Sequence, residues 1–243
     1  MSESSPNLTI HHLHLSQSER VIWLCEELSL PYTLKSYNRD PQTSAAPASY
    51  KALHPVGTAP VVTDGDIVLG ETNAIFEYLL SKGRTVTSDL ALPPTHPDYA
   101  TYLFWLHHAN GSLQPALNGL LFAQMQRQAD ATADKTTPPT PSDSDPDNGT
   151  PSVATINQTR VNLTISALDA QLSKTPYVAG EQFTAADCMM LFPLTTYRLF
   201  LPYSLEKYPS IVGYLKRISE REGWRVAMEK ADPGLVRPLG ATV

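Results

Sequence analysis

The chain has 243 residues, of which 42% are hydrophobic, and a formal net charge of -6 from 18 basic and 24 acidic side chains. This length is sufficient for a substantial core in one large or two small domains. Scattered bases and a negative charge argue against nucleic-acid or anionic-membrane partners, and no apolar run approaches the roughly 18 residues of a membrane span. Residues 1–6 do not resemble a secretory signal, so we expect a cytoplasmic protein.

Cysteine and histidine usage indicates neither disulfides nor a metal. Cys25 and Cys188 are the two cysteines, each within an apolar helical pattern. They are far apart in sequence and form no Cys-x-x-Cys pair, so we expect two reduced core thiols. The histidines at 11–14 and 107–108 are not joined by other ligands at metal-binding spacing, and we predict no metal site.

The first 83 residues alternate between strand and helix patterns. The predicted elements are strand 8–15, helix 21–28, strand 32–37, helix 47–53, strands 61–62 and 67–69, and helix 71–83. The two later strands are joined by the turn Asp64–Gly65, which is typical of a hairpin. A parallel first crossover and an antiparallel hairpin give the order β-α-β-α-β-β-α, which resembles the thioredoxin fold.

The rest of the chain is predicted to be helical. Residues 84–97 contain three prolines and predict a linker, after which residues 99–128 predict one long amphipathic helix. Residues 131–152 contain no large apolar side chain and predict a disordered loop. Further helices are predicted at 153–172, after the capping box Thr184–Asp187, at 208–221 and at 223–231. The predicted domains are therefore a thioredoxin-like domain at 1–83 and an all-α domain at 98–243.

The segment from His54 to Ile75 has the features of a site for a small peptide. Pro60 opens a strand, and a cis Ala59–Pro60 bond would leave the backbone of Ala59 free to pair with an extended peptide. Glu71 and Thr72 stand at a helix start, where free N–H groups favour a carboxylate and Glu71 can bind an ammonium. γ-Glutamyl-cysteinyl-glycine carries these groups. The alternative is ordinary capping of the helix by Glu71 and Thr72.

Four motifs resemble the signatures of the cytosolic glutathione transferases, in the family order. They are Ser16–Leu28, His54–Pro60, Glu71–Ile75 and Tyr177–Asp187. The segment Phe104–Pro115 is similar to a branch of that family seen in fungi and bacteria.

The resemblance assigns three groups of glutathione to named residues. It implies that Ala59, before Pro60, binds the cysteinyl backbone, that Glu71 binds the ammonium, and that Thr72 binds the γ-glutamyl carboxylate. Many members carry a lysine where this chain has Thr58, so the glycyl carboxylate needs another partner. The candidates for that role are Arg39 first, then Lys51 or His54.

The resemblance also implies a hydroxyl for the sulfur at the end of the first strand. Ser16 matches that place best, with Ser18 as the second candidate. A hydroxyl donor and the following helix N-terminus would raise the thiolate fraction of a thiol whose free pKa is about 8.5. Alternatively, either serine could simply cap the helix.

The second substrate is expected in a pocket on the helical side. The candidate lining residues are Leu15, Trp105, His108 and Leu113. His108 and Asn110 stand where this branch usually has tyrosine and glutamate, which indicates either an altered acceptor pocket or neutral drift on an exposed turn.

The expected function is a glutathione transferase that conjugates the thiolate to a small hydrophobic electrophile. One alternative is a glutathione-dependent cis/trans isomerase, in which glutathione is returned, and another is a non-catalytic glutathione-binding module. The family implies a homodimer.

Overall fold

The computed structural model describes residues 7–83, 89–132 and 151–243. Most of the predicted loop 131–152 and the first part of the predicted linker 84–97 therefore lie outside the described residues. The predicted domain boundaries stay a prediction.

The N-terminal part is a four-stranded sheet with three helices. The elements are β1 (Leu8–Leu13), α1 (Glu19–Glu27), β2 (Thr33–Tyr37), α2 (Ala48–Lys51), β3 (Val61–Asp64), β4 (Ile67–Gly70) and α3 (Thr72–Gly83). The strand order is β2-β1-β3-β4, with β1 parallel to β2 and antiparallel to β3. This arrangement confirms the predicted thioredoxin-like fold.

Alternating apolar residues fix the register of this sheet. Ile10 pairs with Val62 between β1 and β3, and both side chains are fully buried. The hairpin between β3 and β4 turns at Gly65, whose φ of 59° suits glycine. Cys25 in α1 and Cys188 are buried free thiols, and burial raises the pKa of both.

The C-terminal part is helical. Its elements are α4 (Tyr99–His108), α5 (Gln114–Thr132), α6 (Val153–Leu172), α7 (Ala185–Leu194), α8 (Pro209–Ser219) and α9 (Glu222–Ala231). The predicted single helix 99–128 is wrong, because a π-helical turn at Ala109–Leu113 separates α4 from α5. The turn contains Asn110 and Gly111, which are poor helix formers, and such turns are common at functional sites. The predicted capping box is present at the start of α7.

Contacts of α1 hold the two parts together. Arg221, just before α9, donates to both carboxylate oxygens of Glu27 at 2.9 and 2.6 Å. Lys230 in α9 donates to Glu26 at 2.7 Å. Because α1 packs between the sheet and α9, the end of α9 lies behind the loop that follows β1.

Candidate active site

A cleft of about 460 Å³ opens beside the loop that follows β1. Its polar wall is formed by that loop and by the segment before β3, with Ser16, Gln17, Arg39, Thr58 and Ala59. Its apolar wall comes from the helical part, with Leu121, Phe122, Met125, Phe192, Tyr197 and Phe200. A cleft with one polar and one apolar wall can hold a peptide beside an apolar compound.

The loop after β1 has a strained residue held from both sides. Leu15 has a φ of 51°, a left-handed conformation that is uncommon outside glycine. Its N–H donates to Asp232 Oδ1 at 3.2 Å, and its carbonyl accepts from Arg39 Nη2 at 3.2 Å. Arg39 Nε also donates to the carbonyl of His14 at 2.8 Å. These bonds fix the loop so that Ser16 follows at the cleft.

Ser16 and Ser18 contact each other just before α1 begins. Their Oγ atoms lie 2.7 Å apart, and the N–H of Ser18 donates to Ser16 Oγ at 3.3 Å. Ser18 occupies the cap position of α1, but its side chain makes no capping bond and lies 2.8 Å from His12 Nδ1. Ser16 lines the cleft, whereas Ser18 is fully buried behind it.

Gln17 links the parts of the predicted peptide site. Its Nε2 donates to the carbonyl of Ala59 at 3.0 Å, and its Oε1 accepts from Thr72 Oγ1 at 3.3 Å. Asn110 Nδ2 also donates to this oxygen at 3.4 Å. In this structure the Ala59 carbonyl accepts from Gln17, so a peptide that pairs with Ala59 would compete with that side chain. Gln17 was not among the site residues predicted from the sequence, although its position between Ser16 and Ser18 was a signal for it.

The residues at the start of α3 are arranged as the sequence predicts for a cap or an anion site. The Ala59–Pro60 bond is cis. Glu71 is exposed with a φ of 67°, and its carbonyl accepts the N–H of Ile75 at 2.9 Å. Thr72, the first residue of α3, is 1% exposed. A left-handed glutamate is a local strain, which at such positions is a reason to look for function.

A buried cation lies beneath Gln17. Arg20 donates to Gln17 Oε1, to Gln114 Oε1 at 2.8 Å and to the Met189 carbonyl at 2.7 Å. Its guanidinium carbon also lies 5.2 Å from the ring centre of Phe192. Burial lowers the pKa of Arg20 to about 9, so it remains a cation at neutral pH. Its charge favours an anion at the adjacent polar wall.

The three candidates for the glycyl carboxylate lie in different places. Arg39 lines the cleft, although its guanidinium also donates to three loop carbonyls, including that of Ser44 at 3.0 Å. Lys51 is exposed at the end of α2. The ring of His54 packs beside Gly70, and its Nδ1 accepts the N–H of Val56 at 3.3 Å. Of the three, Arg39 is the one that lines the cleft.

Of the four residues predicted to line the acceptor pocket, Leu15 lines the cleft and the other three do not. Leu15 lines the cleft, but Trp105 and Leu113 are core residues with 4% and 1% exposure. His108 Nε2 lies 2.9 Å from Thr164 Oγ1, and its ring stacks on Phe104. The reason is that α4 turns this face toward α6 and α7, so α5 and the segment after α7 supply the apolar wall. Burial also lowers the pKa of His108.

Within residues 7–83, 89–132 and 151–243, no group of three or more His, Cys, Asp or Glu side chains converges as a metal site would require. None of the helices described is long and apolar enough to cross a membrane.

The chain folds as a thioredoxin-like part followed by a helical part, and residues of both line the cleft. Residues 16–82 match the glutathione S-transferase N-terminal domain model, and residues 131–222 match the C-terminal domain model. The chain is 32% identical to glutathione S-transferase 3 of Schizosaccharomyces pombe over 241 residues, covering 93% of this chain and 88% of the relative. It is 27% identical to glutathione S-transferase 1 of Saccharomyces cerevisiae, with 94% and 97% covered.

A solved structure agrees with these sequence comparisons. A glutathione S-transferase from Actinobacillus pleuropneumoniae superposes with a TM-score of 0.74 at 30% identity, covering 93% of this chain and 94% of that one. The chain belongs to the glutathione S-transferase family, whose members are transferase enzymes. The comparison confirms the resemblance stated from the four motifs.

Proposed function

We propose that this enzyme binds glutathione along the polar wall and conjugates its sulfur to a small hydrophobic electrophile held on the apolar wall. The observation that supports this most strongly is the side chain of Gln17. It joins Ala59 and Thr72 by hydrogen bonds of 3.0 and 3.3 Å, directly beside Ser16 at the cleft. The residues that sequence reasoning assigned to cysteinyl backbone, γ-glutamyl carboxylate and sulfur therefore meet in one place.

Each end of glutathione has a partner of suitable chemistry in this arrangement. The γ-glutamyl carboxylate accepts from the N–H and hydroxyl of Thr72 at the start of α3, where the helix dipole also favours a negative charge. The exposed carboxylate of Glu71 binds the ammonium. The glycyl carboxylate lies toward Arg39, which keeps donors beyond the three that bind the loop.

Binding of the peptide changes the partners of Gln17. A cysteinyl N–H that pairs with the Ala59 carbonyl competes with Gln17 Nε2 for the same acceptor. The γ-glutamyl carboxylate likewise competes with Gln17 Oε1 for the hydroxyl of Thr72. Arg20 and Asn110 remain as donors to Gln17, so this side chain can turn away without losing every hydrogen bond.

The reaction places the sulfur at Ser16. The thiol loses its proton, and the thiolate attacks the electrophilic carbon to form an S–C bond. In a substitution a leaving group departs from that carbon, and in an addition an electron pair of the acceptor's double bond shifts away from it. A hydroxyl that donates to the thiolate lowers the pKa of the thiol. The apolar wall, with Phe122 and Phe200, binds the acceptor by excluding water from it.

Calorimetry and product analysis test this proposal together. Glu71→Ala with Thr72→Val should weaken glutathione binding at least tenfold, whereas Glu77→Ala on the exposed face of the same helix should leave it unchanged. With 1-chloro-2,4-dinitrobenzene as the probe, mass spectrometry should show a glutathione adduct and stoichiometric loss of glutathione. Unchanged affinity in the double variant overturns the site assignment. Glutathione that is never consumed overturns conjugation in favour of isomerisation or simple binding.

We also propose a homodimer in the cytosol. The family resemblance supports the dimer. The two buried free thiols support a reducing compartment, since neither takes part in a disulfide.

A further inference from the structure

Behind Ser16, three buried side chains continue inward from the cleft at hydrogen-bond distances. Ser16 Oγ lies 2.7 Å from Ser18 Oγ, which lies 2.8 Å from His12 Nδ1. His12 Nε2 in turn lies 3.3 Å from Asp232 Oδ1. Ser18 and His12 are fully buried and Asp232 is 1% exposed. The line therefore has one end at the cleft and the other in the interior.

The acceptor at the inner end fixes the state of the imidazole. Burial raises the pKa of Asp232, but the hydrogen bond and positive charge of His12 when it is protonated, the N–H of Leu15 and the charge of His14 hold that pKa below its ordinary value. Asp232 is thus a carboxylate and accepts the Nε2–H of His12. The Nδ1 atom of a neutral His12 is then an acceptor, and it faces the hydroxyl of Ser18.

Other charges surround this pair. Arg237 Nη2 donates to Asp232 Oδ2 at 3.3 Å and to Glu19 Oε2 at 3.1 Å. His14 contacts the same carboxylate from the loop, and Arg39 lies near enough to interact with it electrostatically. A proton gained by His12 would therefore be stabilised directly by Asp232, whereas burial raises the pKa of Glu19.

We infer that Ser18 and His12 form a relay that carries the thiol proton of bound glutathione from Ser16 into the interior. The inference rests on the proposed function, which places the glutathione sulfur at Ser16. In this relay His12 accepts the proton, Ser18 links it to Ser16, and Asp232 is a positioning residue that holds the imidazole.

The transfer balances as a series of hops. Before reaction, Ser16 donates to Ser18 and Ser18 donates to His12 Nδ1. When the S–H bond breaks, Ser16 receives that proton and passes its own to Ser18, which passes its own to His12. One proton leaves the sulfur, one arrives at Nδ1, and no electron is transferred. After the transfer the hydrogen bonds of both hydroxyls point the opposite way. Ser18 then donates to Ser16, and Ser16 donates to the thiolate.

The neighbouring histidine provides a matched control. His11 precedes His12 on β1, and successive side chains of a strand point to opposite faces. The ring of His11 accordingly lies 3.0 Å from the Tyr37 hydroxyl and 3.2 Å from Thr63 Oγ1, away from the two serines. A substitution there disturbs the same strand without touching the relay.

The direct test is nitrogen NMR of the His12 ring in the full chain near neutral pH, with glutathione and with S-methylglutathione. Glutathione should move the His12 signals to imidazolium values, whereas S-methylglutathione, which has no thiol proton, should not. Signals that stay neutral with glutathione, or that shift equally with both, overturn the relay. Calorimetry of the same samples separates the two proposals: if neither peptide binds, the proposed function itself fails.

Variants supply the second test. His12→Asn and Ser18→Ala should raise the pKa of the bound thiol, read by ultraviolet titration, by about one unit or more and lower kcat/KM about tenfold or more. Glutathione affinity should change less than about threefold, and His11→Asn should leave the thiol pKa unchanged. If the folded His12→Asn variant binds glutathione and the pKa of the bound thiol equals that in the wild type, the relay is wrong, while the binding-site assignment stands.

Discussion

The carboxylate of Asp232, at the end of α9, lies 3.3 Å from the ring of His12 on β1. The same oxygen accepts the N–H of Leu15 at 3.2 Å. One side chain from the end of the helical part therefore holds both the strand and the strained loop that present Ser16 to the cleft.

We expect Asp232→Asn to lower the free energy of unfolding at pH 7 by about 2 kcal/mol, because it removes one of the two buried carboxylates that Arg237 contacts. The pKa of Asp232 is depressed in the folded state, so its stabilisation is present above the unfolded pKa near 3.8 and is lost as pH falls through the lower folded value. Urea titrations between pH 5 and 3 should show the difference from the wild type shrinking. A difference that grows on acidification contradicts the assignment.

Glu71→Gly should separate stability from binding. Glycine relieves a left-handed conformation that costs a residue with a Cβ about 1–2 kcal/mol, but it adds about 0.5–1 kcal/mol of unfolded-chain entropy. The free energy of unfolding should therefore stay equal or rise by about 0.5 kcal/mol, while glutathione affinity falls in calorimetry. Glu77→Gly, inside the same helix, should instead destabilise by about 1 kcal/mol. An equal loss of stability in the Glu71→Gly variant would show that the backbone conformation of Glu71 is not strained.

The apolar wall should control the second substrate alone. Phe122→Ala together with Met125→Ala removes two side chains that line the cleft and are 64% and 56% exposed, so folding should be little affected. The KM for an apolar electrophile should rise about tenfold, equivalent to about 1.4 kcal/mol of lost contact, with the KM for glutathione unchanged. Phe104→Ala, 52% exposed and outside the cleft wall, serves as the control and should change neither constant. Steady-state kinetics in which glutathione and the electrophile are varied in turn would measure both KM values.

Asp187 should be among the most costly single truncations. Its carboxylate accepts the N–H of Thr184 at 2.8 Å, the N–H of Val178 at 3.0 Å and the hydroxyl of Tyr214 at 3.1 Å. Asp187→Ala leaves three buried donors without partners and should cost about 3 kcal/mol or more in urea denaturation. Asp169→Ala, which removes a partly exposed cap of α8, should cost about 1 kcal/mol. Equal losses of stability in the two variants would mean that the burial of Asp187 adds nothing to the cost of removing it.

Light scattering should give about twice the 26.7 kDa of one chain if the proposed homodimer forms. A single-chain mass at about 10 μM protein would contradict the dimer.

Local signals in the sequence determined the family, the order of the first seven elements and the residues proposed for the peptide site. The Asp64–Gly65 hairpin, the strand-opening Pro60 and the helix start at Glu71 are each specified by a few contiguous residues. Their backbone preferences act over short range, so they could be predicted without the fold. Ser16 was assigned differently, from the family resemblance, which implies a hydroxyl for the sulfur at the end of the first strand.

The tertiary structure decided which distant side chains meet. A helical period shows that Trp105 and Leu113 share an apolar stripe, but not whether that stripe faces a core or a cleft, and here it faces the core. The bond between Asp232 and His12 joins residues 220 positions apart, and the bridge through Gln17 depends on three separate segments. Such contacts arise only when packing of α1 against the sheet and α9 fixes the positions of all these segments together.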